Sequence, residues 1–136
     1  MILADTSAWV EYDRATRSAV DQRMAELVSD DGPLAYTEPV VMEVLAGART
    51  DARERDLRRL LLRFHLLRFD AAVDFSAAAR VYRTCRRAGI TPRGLLDCMI
   101  AAVAWRHHAT LLSYDADLHR VAQIMDITLD DASLRT

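Results

Sequence analysis

The chain has 136 residues, of which 51% are hydrophobic and 28% are charged, and its formal net charge is −2. This composition predicts one compact domain over residues 1–136, and the absence of lysine excludes a Walker-type phosphate loop, a Schiff-base enzyme and any site needing a catalytic ammonium group. No apolar run approaches the roughly 20 residues of a membrane span and no export signal is recognisable, so we expect a cytoplasmic protein without membrane contact.

Short apolar runs alternate with helical patterns along the chain. The first run, Met1–Asp5, is too short for a helix and indicates a strand buried on both faces. Thr6 and Ser7 are placed to cap the helix that follows it. In chain order we predict a strand at Met1–Asp5, helices at Ser7–Tyr12 and Arg17–Val28, a strand at Leu34–Tyr36, helices from Thr37 to Gly47 and at Arg49–Phe64, a strand at Leu66–Phe69, helices at Asp70–Ala88 and Leu95–Trp105, a strand at Thr110–Ser113, a helix at Leu118–Met125 and a strand at Ile127–Leu129.

The order of these elements predicts the fold class. Strands that alternate with helices over one domain form an α/β fold, in which a mostly parallel sheet is covered by helices on both faces. The segment Leu95–Trp105 is apolar on nearly all sides apart from Asp97, which indicates a helix buried on most of its surface. Cys85 and Cys98 lack the spacing of a metal site or disulfide framework and indicate reduced core thiols.

Four acidic residues each stand alone in, or directly after, an apolar element. An unpaired buried carboxylate is costly, so such a residue is normally protonated, paired or bound to a metal. One of them would be explained by a helix cap or an arginine partner. Four together indicate an acidic pocket whose repulsion is offset by a divalent cation, and carboxylate ligands favour Mg²⁺ or Mn²⁺. The four acids are Asp5, Glu43, Asp97 and Asp115.

The motifs around these acids carry a family resemblance over nearly the whole chain. They are Asp5-Thr6-Ser7 after the N-terminal strand, Glu43 in Met-Glu-Val-Leu-Ala-Gly, Asp97 in Leu-Leu-Asp-Cys-Met-Ile-Ala-Ala, and Ser-Tyr-Asp-Ala-Asp-Leu at 113–118. In this order and spacing they resemble the motifs of PIN-domain nucleases. The length of the chain makes it similar to the VapC toxins of VapBC toxin–antitoxin systems.

The resemblance implies a Mg²⁺-dependent endoribonuclease, with Mn²⁺ as a substitute, that acts on RNA and is inhibited by a cognate antitoxin protein. It also implies a three-layer α/β/α sandwich with four to five short strands, a homodimer, and a toxin–antitoxin hetero-oligomer. The family often has Phe where this chain has Leu118, an exchange of one apolar residue for another. Carried over by position, the catalytic acids are Asp5, Glu43, Asp97 and Asp115, the metal ligands are Asp5, Asp97 and Asp115 with Glu43 and Asp117 as further candidates, and the supporting hydroxyls are Thr6 and Ser113.

Other polar and aromatic residues have a functional and a structural interpretation. The arginine-rich runs at 49–68 and 80–93 either bind RNA phosphates or form solvated surfaces, and Arg93, close to Asp97, is the first candidate for RNA binding. His119 follows Asp115 by four residues, which suits a metal pair, although a polar helix face or a local Asp–His pair explains it better. His107 and His108 are expected to contact the last carbonyls of the buried helix. For Trp9, Tyr36 and Tyr82 we expect core packing rather than base stacking.

Three rival functions fit an acidic pocket on an α/β sheet. A receiver-like phosphoacceptor domain would have a lysine beside the acids, and a haloacid-dehalogenase-type phosphatase would have a second Asp at position 7, which is Ser7. A non-catalytic binding module is disfavoured because all four acids are present. For the nuclease, we expect inhibition by a basic antitoxin side chain among the acids and by a helix in an apolar groove framed by Arg17–Val28 and Arg49–Phe64.

Overall fold

A computed structural model describes residues 1–134 of the chain. Its four strands form one parallel sheet in the order β3-β2-β1-β4, with Leu3 of β1 facing Ala35 on one side and Leu111 on the other. The predicted α/β class with a parallel sheet is therefore confirmed. The strands are β1 (Ile2–Ala4), β2 (Leu34–Tyr36), β3 (His65–Leu66) and β4 (Thr110–Leu112).

Within residues 1–134, seven α-helices and one 3₁₀ turn accompany the sheet. The first four helices pack in sequence, α1 against α2 and α3, and α3 against α4, whereas α5, α6 and α7 pack against one another. Right-handed crossovers from β1 to β2 to β3, followed by a return from β3 to β4, put these two groups on opposite faces of the sheet, giving a three-layer sandwich. The helices are α1 (Thr6–Asp13), α2 (Ala19–Ser29), α3 (Glu38–Ala46), α4 (Asp51–Leu61), α5 (Ala71–Arg87), α6 (Leu95–Arg106) and α7 (Ala116–Ile124), and the 3₁₀ turn is Asp131–Leu134.

The core lies between the sheet and its two helical layers. Leu3, Leu111 and Leu112 are fully buried in the neighbouring strands β1 and β4, and each such leucine contributes roughly 1.5 to 3 kcal/mol to folding. The predicted burial of α6 is confirmed, since its residues 100–104 are all buried. Cys85 and Cys98 are free and buried in the same core, as predicted. Within residues 1–134, no helix has the length and apolar character needed to cross a bilayer.

One buried ion pair joins the two helices α5 and α6. The Asp74 carboxylate is fully buried and accepts hydrogen bonds from Arg106 Nε at 2.9 Å and Arg106 Nη2 at 2.7 Å. It also accepts the backbone N–H of Asp70 at 2.8 Å, so both carboxylate oxygens are satisfied. This pairing between residues 32 positions apart was not predicted from the sequence.

Two predicted strands are wrong in extent. The strand predicted at Leu66–Phe69 is replaced by His65–Leu66, because the chain leaves the sheet where the Phe69 N–H donates to the Glu38 carboxylate. The strand predicted at Ile127–Leu129 is reduced to one bridge between Leu129 and Leu111, because Asp130 then accepts from the Ala132 N–H and turns the chain into the 3₁₀ segment. The other predicted elements are present, and their ends shift by at most three residues.

Candidate active site

The candidate site lies at the carboxyl ends of the neighbouring strands β1 and β4. Crossovers run from β1 through β2 to β3 and then return to β4, so the direction of chain progression reverses between the neighbours β1 and β4. Such a switch point is where open α/β sheets place their ligand crevice. Asp5 directly follows β1, and Ser113 and Asp115 follow β4, so the topology itself brings these residues together.

Asp5 is buried and forms the N-cap of α1. Its Oδ1 accepts from the Ala8 N–H at 2.9 Å and from the Ser7 hydroxyl at 2.7 Å, and its Oδ2 accepts from the Ser113 hydroxyl at 2.6 Å. The sequence predicts that Thr6 or Ser7 caps this helix, and this prediction is wrong because the cap is Asp5. Burial raises the pKa of Asp5 from 3.8 to about 6, although the three hydrogen bonds lower it and repulsion from Asp115 adds to the rise.

Two serines connect Asp5 to the loop after β4. The Ser113 hydroxyl, which donates to Asp5, also accepts from the backbone N–H of Asp115 at 3.0 Å. The Ser7 hydroxyl likewise donates to Asp5 and accepts from the backbone N–H of Tyr114 at 2.8 Å. These bonds fix the position of the backbone that carries Asp115 relative to Asp5.

Glu43 and Asp97 approach the same place from two helices, α3 and α6, which contact each other. The Glu43 Oε1 accepts from the Thr6 hydroxyl at 2.5 Å, so Thr6 orients it. Asp97 lies in the first turn of α6, and its pKa is raised from 3.8 to about 6 by burial and then by repulsion from Asp115, Asp5 and Glu43, with Arg93 lowering it. The four predicted acids therefore share one electrostatic environment.

Arginine side chains occupy the outer part of this environment. The Arg93 guanidinium forms ion pairs with Asp115 through Nη2 and with Asp117 through Nε. Arg120 pairs with the other oxygen of Asp117. The Asp115 Oδ1 caps α7 by accepting the Asp117 N–H at 2.8 Å. The outer acids are thus engaged by protein donors on both of their oxygens.

Several other sequence interpretations can be compared with the structure. His119 Nε2 lies 2.7 Å from the carbonyl oxygen of Ser113, so its ring supports the loop after β4 rather than pairing with Asp115. The backbone N–H groups of His107 and His108 donate to carbonyls in the last turn of α6, at 3.0 Å to Val103 and 3.3 Å to Trp105, as expected. The His107 ring points elsewhere, with Nε2 3.4 Å from the Arg68 carbonyl. Trp9 and Tyr36 are buried, as the packing interpretation predicts.

Two contacts of the site were not predicted from the sequence. The Ser7 hydroxyl donates a hydrogen bond to Asp5, and Arg120 forms an ion pair with Asp117. Ser7 stands two residues after Asp5, the spacing at which a hydroxyl can reach back to a capping carboxylate. Arg120 stands three residues after Asp117, on the same face of α7. Both signals are local and were therefore available in the sequence.

The donor set of the site suits a hard divalent cation. All four central donors are carboxylates, with Thr6 and Ser113 hydroxyls behind them, and such oxygen ligands are the ones that Mg²⁺ selects. Burial is the main cause of the raised pKa values of Asp5 and Asp97, repulsion from neighbouring acids adds to it, and a bound cation would stabilise both carboxylates. In the side-chain arrangement of residues 1–134, no three His, Cys, Asp or Glu residues converge closely enough to hold an ion. Binding of an ion would therefore require these carboxylates to move closer together.

A groove of about 560 Å³ borders the acids on the side of Glu43. It runs between α1, α3 and α4, and its walls include Trp9, Val44 and Leu57 beside the charged Arg53. The helix α4 lines this groove and α2 does not. The antitoxin groove framed by Arg17–Val28 and Arg49–Phe64 stays a prediction.

Comparisons with known proteins give a consistent result. A family profile described as the PIN domain matches residues 2–124. Ribonuclease VapC11 of Mycobacterium tuberculosis and VapC ribonuclease Mb1587 of Mycobacterium bovis are each 46% identical to this chain over 128 residues, covering 93% of it and 96% of the relative. The crystal structure of VapBC2 from Rickettsia felis bound to a DNA fragment from their promoter superposes with a TM-score of 0.73 at 18% identity, covering 96% of this chain and 98% of the other.

Proposed function

The chain belongs to the PIN-domain family, among the VapC ribonucleases, and we propose that it is a toxin that hydrolyses RNA with a divalent cation. The observation that carries this proposal is the meeting of Asp5, Glu43, Asp97 and Asp115 at the switch point of the sheet. A structural role alone would not require four carboxylates in one crevice, two of which, Asp5 and Asp97, have raised pKa values. Such clusters are a recognised sign of a functional site.

In this proposal each side chain has a defined task. Asp5, Asp97 and Asp115 hold Mg²⁺, with Glu43 as a further ligand oriented by Thr6. The Ser113 hydroxyl orients Asp5. Together with the Ser7 hydroxyl, it holds the backbone after β4 so that Asp115 stays close to Asp5. When bound, the ion supplies an activated water, neutralises charge on the phosphoryl oxygens and stabilises the leaving oxygen.

The electrostatics of the site explain why RNA cleavage would need the cation. An RNA phosphate is negatively charged, and four carboxylates in one crevice repel it. Bound Mg²⁺ would offset part of this negative charge, so we expect RNA binding to depend on metal binding. Mn²⁺ has similar coordination chemistry and should replace Mg²⁺.

We further propose that the protein works within a toxin–antitoxin system, as a homodimer and in a hetero-oligomer with a cognate antitoxin. The likeness to the toxin subunit fold of the Rickettsia felis VapBC2 complex supports this, and that complex is described with promoter DNA. A basic antitoxin side chain among the acids, together with a helix in the groove beside Trp9 and Glu43, would inhibit the enzyme.

The proposal is tested by cleavage of total RNA with the purified chain, in Mg²⁺, in Mn²⁺ and in EDTA. We expect cleavage with either ion and none in EDTA, and we expect Asp97→Asn to reduce the rate at least 100-fold, because the site loses a ligand. Asp31→Asn, the same change at an exposed aspartate in the turn after α2, is the matched control and should leave the rate unchanged. Robust cleavage in EDTA, or full activity of Asp97→Asn, would contradict the proposal.

A further inference from the structure

Arg93 stands where a cation would act on the outer acids. Its guanidinium spans two carboxylates, Asp115 and Asp117, in the two-pronged way that suits this planar group. Asp117 is also paired with Arg120 on its remaining oxygen. One of the predicted metal ligands, Asp115, is thus neutralised from within the chain.

Each of the two oxygens of Asp115 already accepts a bond. Its Oδ1 caps α7 through the Asp117 N–H, and its Oδ2 receives Arg93. A divalent ion and a guanidinium also repel each other strongly at neighbouring positions. For Asp115 to ligate a divalent ion through Oδ2, Arg93 has to withdraw from it.

The surroundings of Arg93 allow such a withdrawal. Its side chain is 66% exposed, and it lies in the loop between α5 and α6, directly before Gly94. The N-terminus of α6 begins at Gly94 without any side-chain cap, so moving Arg93 breaks no helix-capping bond. Asp117 still holds the guanidinium close to the site after it leaves Asp115.

We propose that Arg93 is an internal cation that occupies Asp115 until a divalent ion binds, and that it then transfers to an RNA phosphate. Asp117 is in this view a positioning residue for Arg93 and not a metal ligand, because its own oxygens are taken by Arg93 and Arg120. The inference rests on the proposed function, since it requires a divalent ion at the acids and RNA as the substrate.

The proposal requires two effects of opposite sign from one substitution. Arg93→Gln removes a competitor of the ion, so the variant protein should bind the divalent ion more tightly than the wild type. A unit charge about 6 Å from a divalent ion in a water-like dielectric changes its affinity about tenfold. The same substitution removes a phosphate contact, so RNA cleavage at saturating metal should fall about tenfold.

The test is the Mn²⁺ affinity of the full chain, measured by titration calorimetry at constant pH and ionic strength. Arg120→Gln is the matched control, because it removes the same charge next to Asp117 without touching Asp115. We expect Arg93→Gln to tighten Mn²⁺ binding about tenfold and Arg120→Gln to change it less than threefold. Asp5→Asn should weaken Mn²⁺ binding and identifies the ion's location.

The outcomes separate this inference from the proposed function. Equal Mn²⁺ affinities of Arg93→Gln and Arg120→Gln would overturn the inference, and so would unchanged RNA cleavage by Arg93→Gln at saturating Mn²⁺. Both results leave the metal-dependent nuclease intact if Asp5→Asn still loses Mn²⁺. Mn²⁺ binding that is insensitive to Asp5→Asn would overturn the proposed function and, with it, the role of Arg93.

Discussion

Asp5→Asn should make the metal-free protein more stable at neutral pH, because it removes a buried charge. The pKa of Asp5 rises from 3.8 to about 6 on folding. This difference corresponds to a cost of about 3 kcal/mol for keeping Asp5 ionised in the folded protein above pH 6. Asn keeps the shape and accepts the capping bond from the Ala8 N–H, so the cap is retained.

Part of this gain is lost because an amide cannot accept on both sides. The Ser113 hydroxyl donates to Asp5 Oδ2 at 2.6 Å. In one orientation the amide NH₂ of Asn would face this hydroxyl, and in the flipped orientation it would face the donors Ser7 and Ala8. One lost hydrogen bond costs about 1 kcal/mol. The net expectation is a stabilisation of about 2 kcal/mol, or about 7 °C in the melting temperature of a chain of this length.

The assay is thermal and urea unfolding in EDTA at pH 8 and at pH 4. A carboxyl group with a raised folded-state pKa favours folding most below its unfolded pKa, and this contribution is lost as the pH rises to and above about 6. The advantage of Asp5→Asn should therefore be present at pH 8 and absent at pH 4. The exposed control Asp51→Asn should stay within about 0.5 kcal/mol of the wild type. An advantage of Asp5→Asn that is equal at both pH values, or absent at pH 8, would refute the reasoning.

Three further predictions follow from the site and the core. Ca²⁺ should bind to the acids but support cleavage poorly, because its longer and looser coordination fits the octahedral site less well, and efficient cleavage in Ca²⁺ alone would contradict this. Arg106→Met should lower the free energy of unfolding by about 3 kcal/mol in urea titrations, because it leaves the Asp74 carboxylate buried without its partner, and a change below 1 kcal/mol would show that the pair is not needed. Antitoxin affinity should fall as Mg²⁺ rises at constant ionic strength, because both draw on the same acids, and an affinity unaffected by Mg²⁺ and by Asp97→Asn would place inhibition elsewhere.

The fold class was predictable because it depends on local patterns. The run before Asp5 and the apolar helix around Asp97 each carry their own signal of a buried strand or helix. The strand at Ile127–Leu129 failed because its apolar residues are equally compatible with a covered loop. In the structure this segment pairs with the sheet at a single bridge, between Leu129 and Leu111, and no local pattern in the sequence indicates this limit.

The site was predictable in its acids but not in its pairings. Each acid stands out against apolar neighbours, and the parallel topology brings the ends of β1 and β4 together. The contacts of Arg93 with Asp115, and of Arg106 with Asp74, join residues more than 20 positions apart in loops and helices whose relative placement no local pattern encodes. The chain contains eighteen basic residues, all arginine, so composition could not single out these two.

The chemistry of the RNA ends produced by the purified chain in Mg²⁺ tests the central claim most directly. If the acids and their cation activate a water molecule, the water attacks the phosphodiester and the products carry a free hydroxyl on one side and a phosphate monoester on the other. Asp97→Asn should yield no such products under the same conditions. A 2′,3′-cyclic phosphate at the cleaved ends would contradict the account, because it forms only when the 2′-hydroxyl of the RNA is the nucleophile.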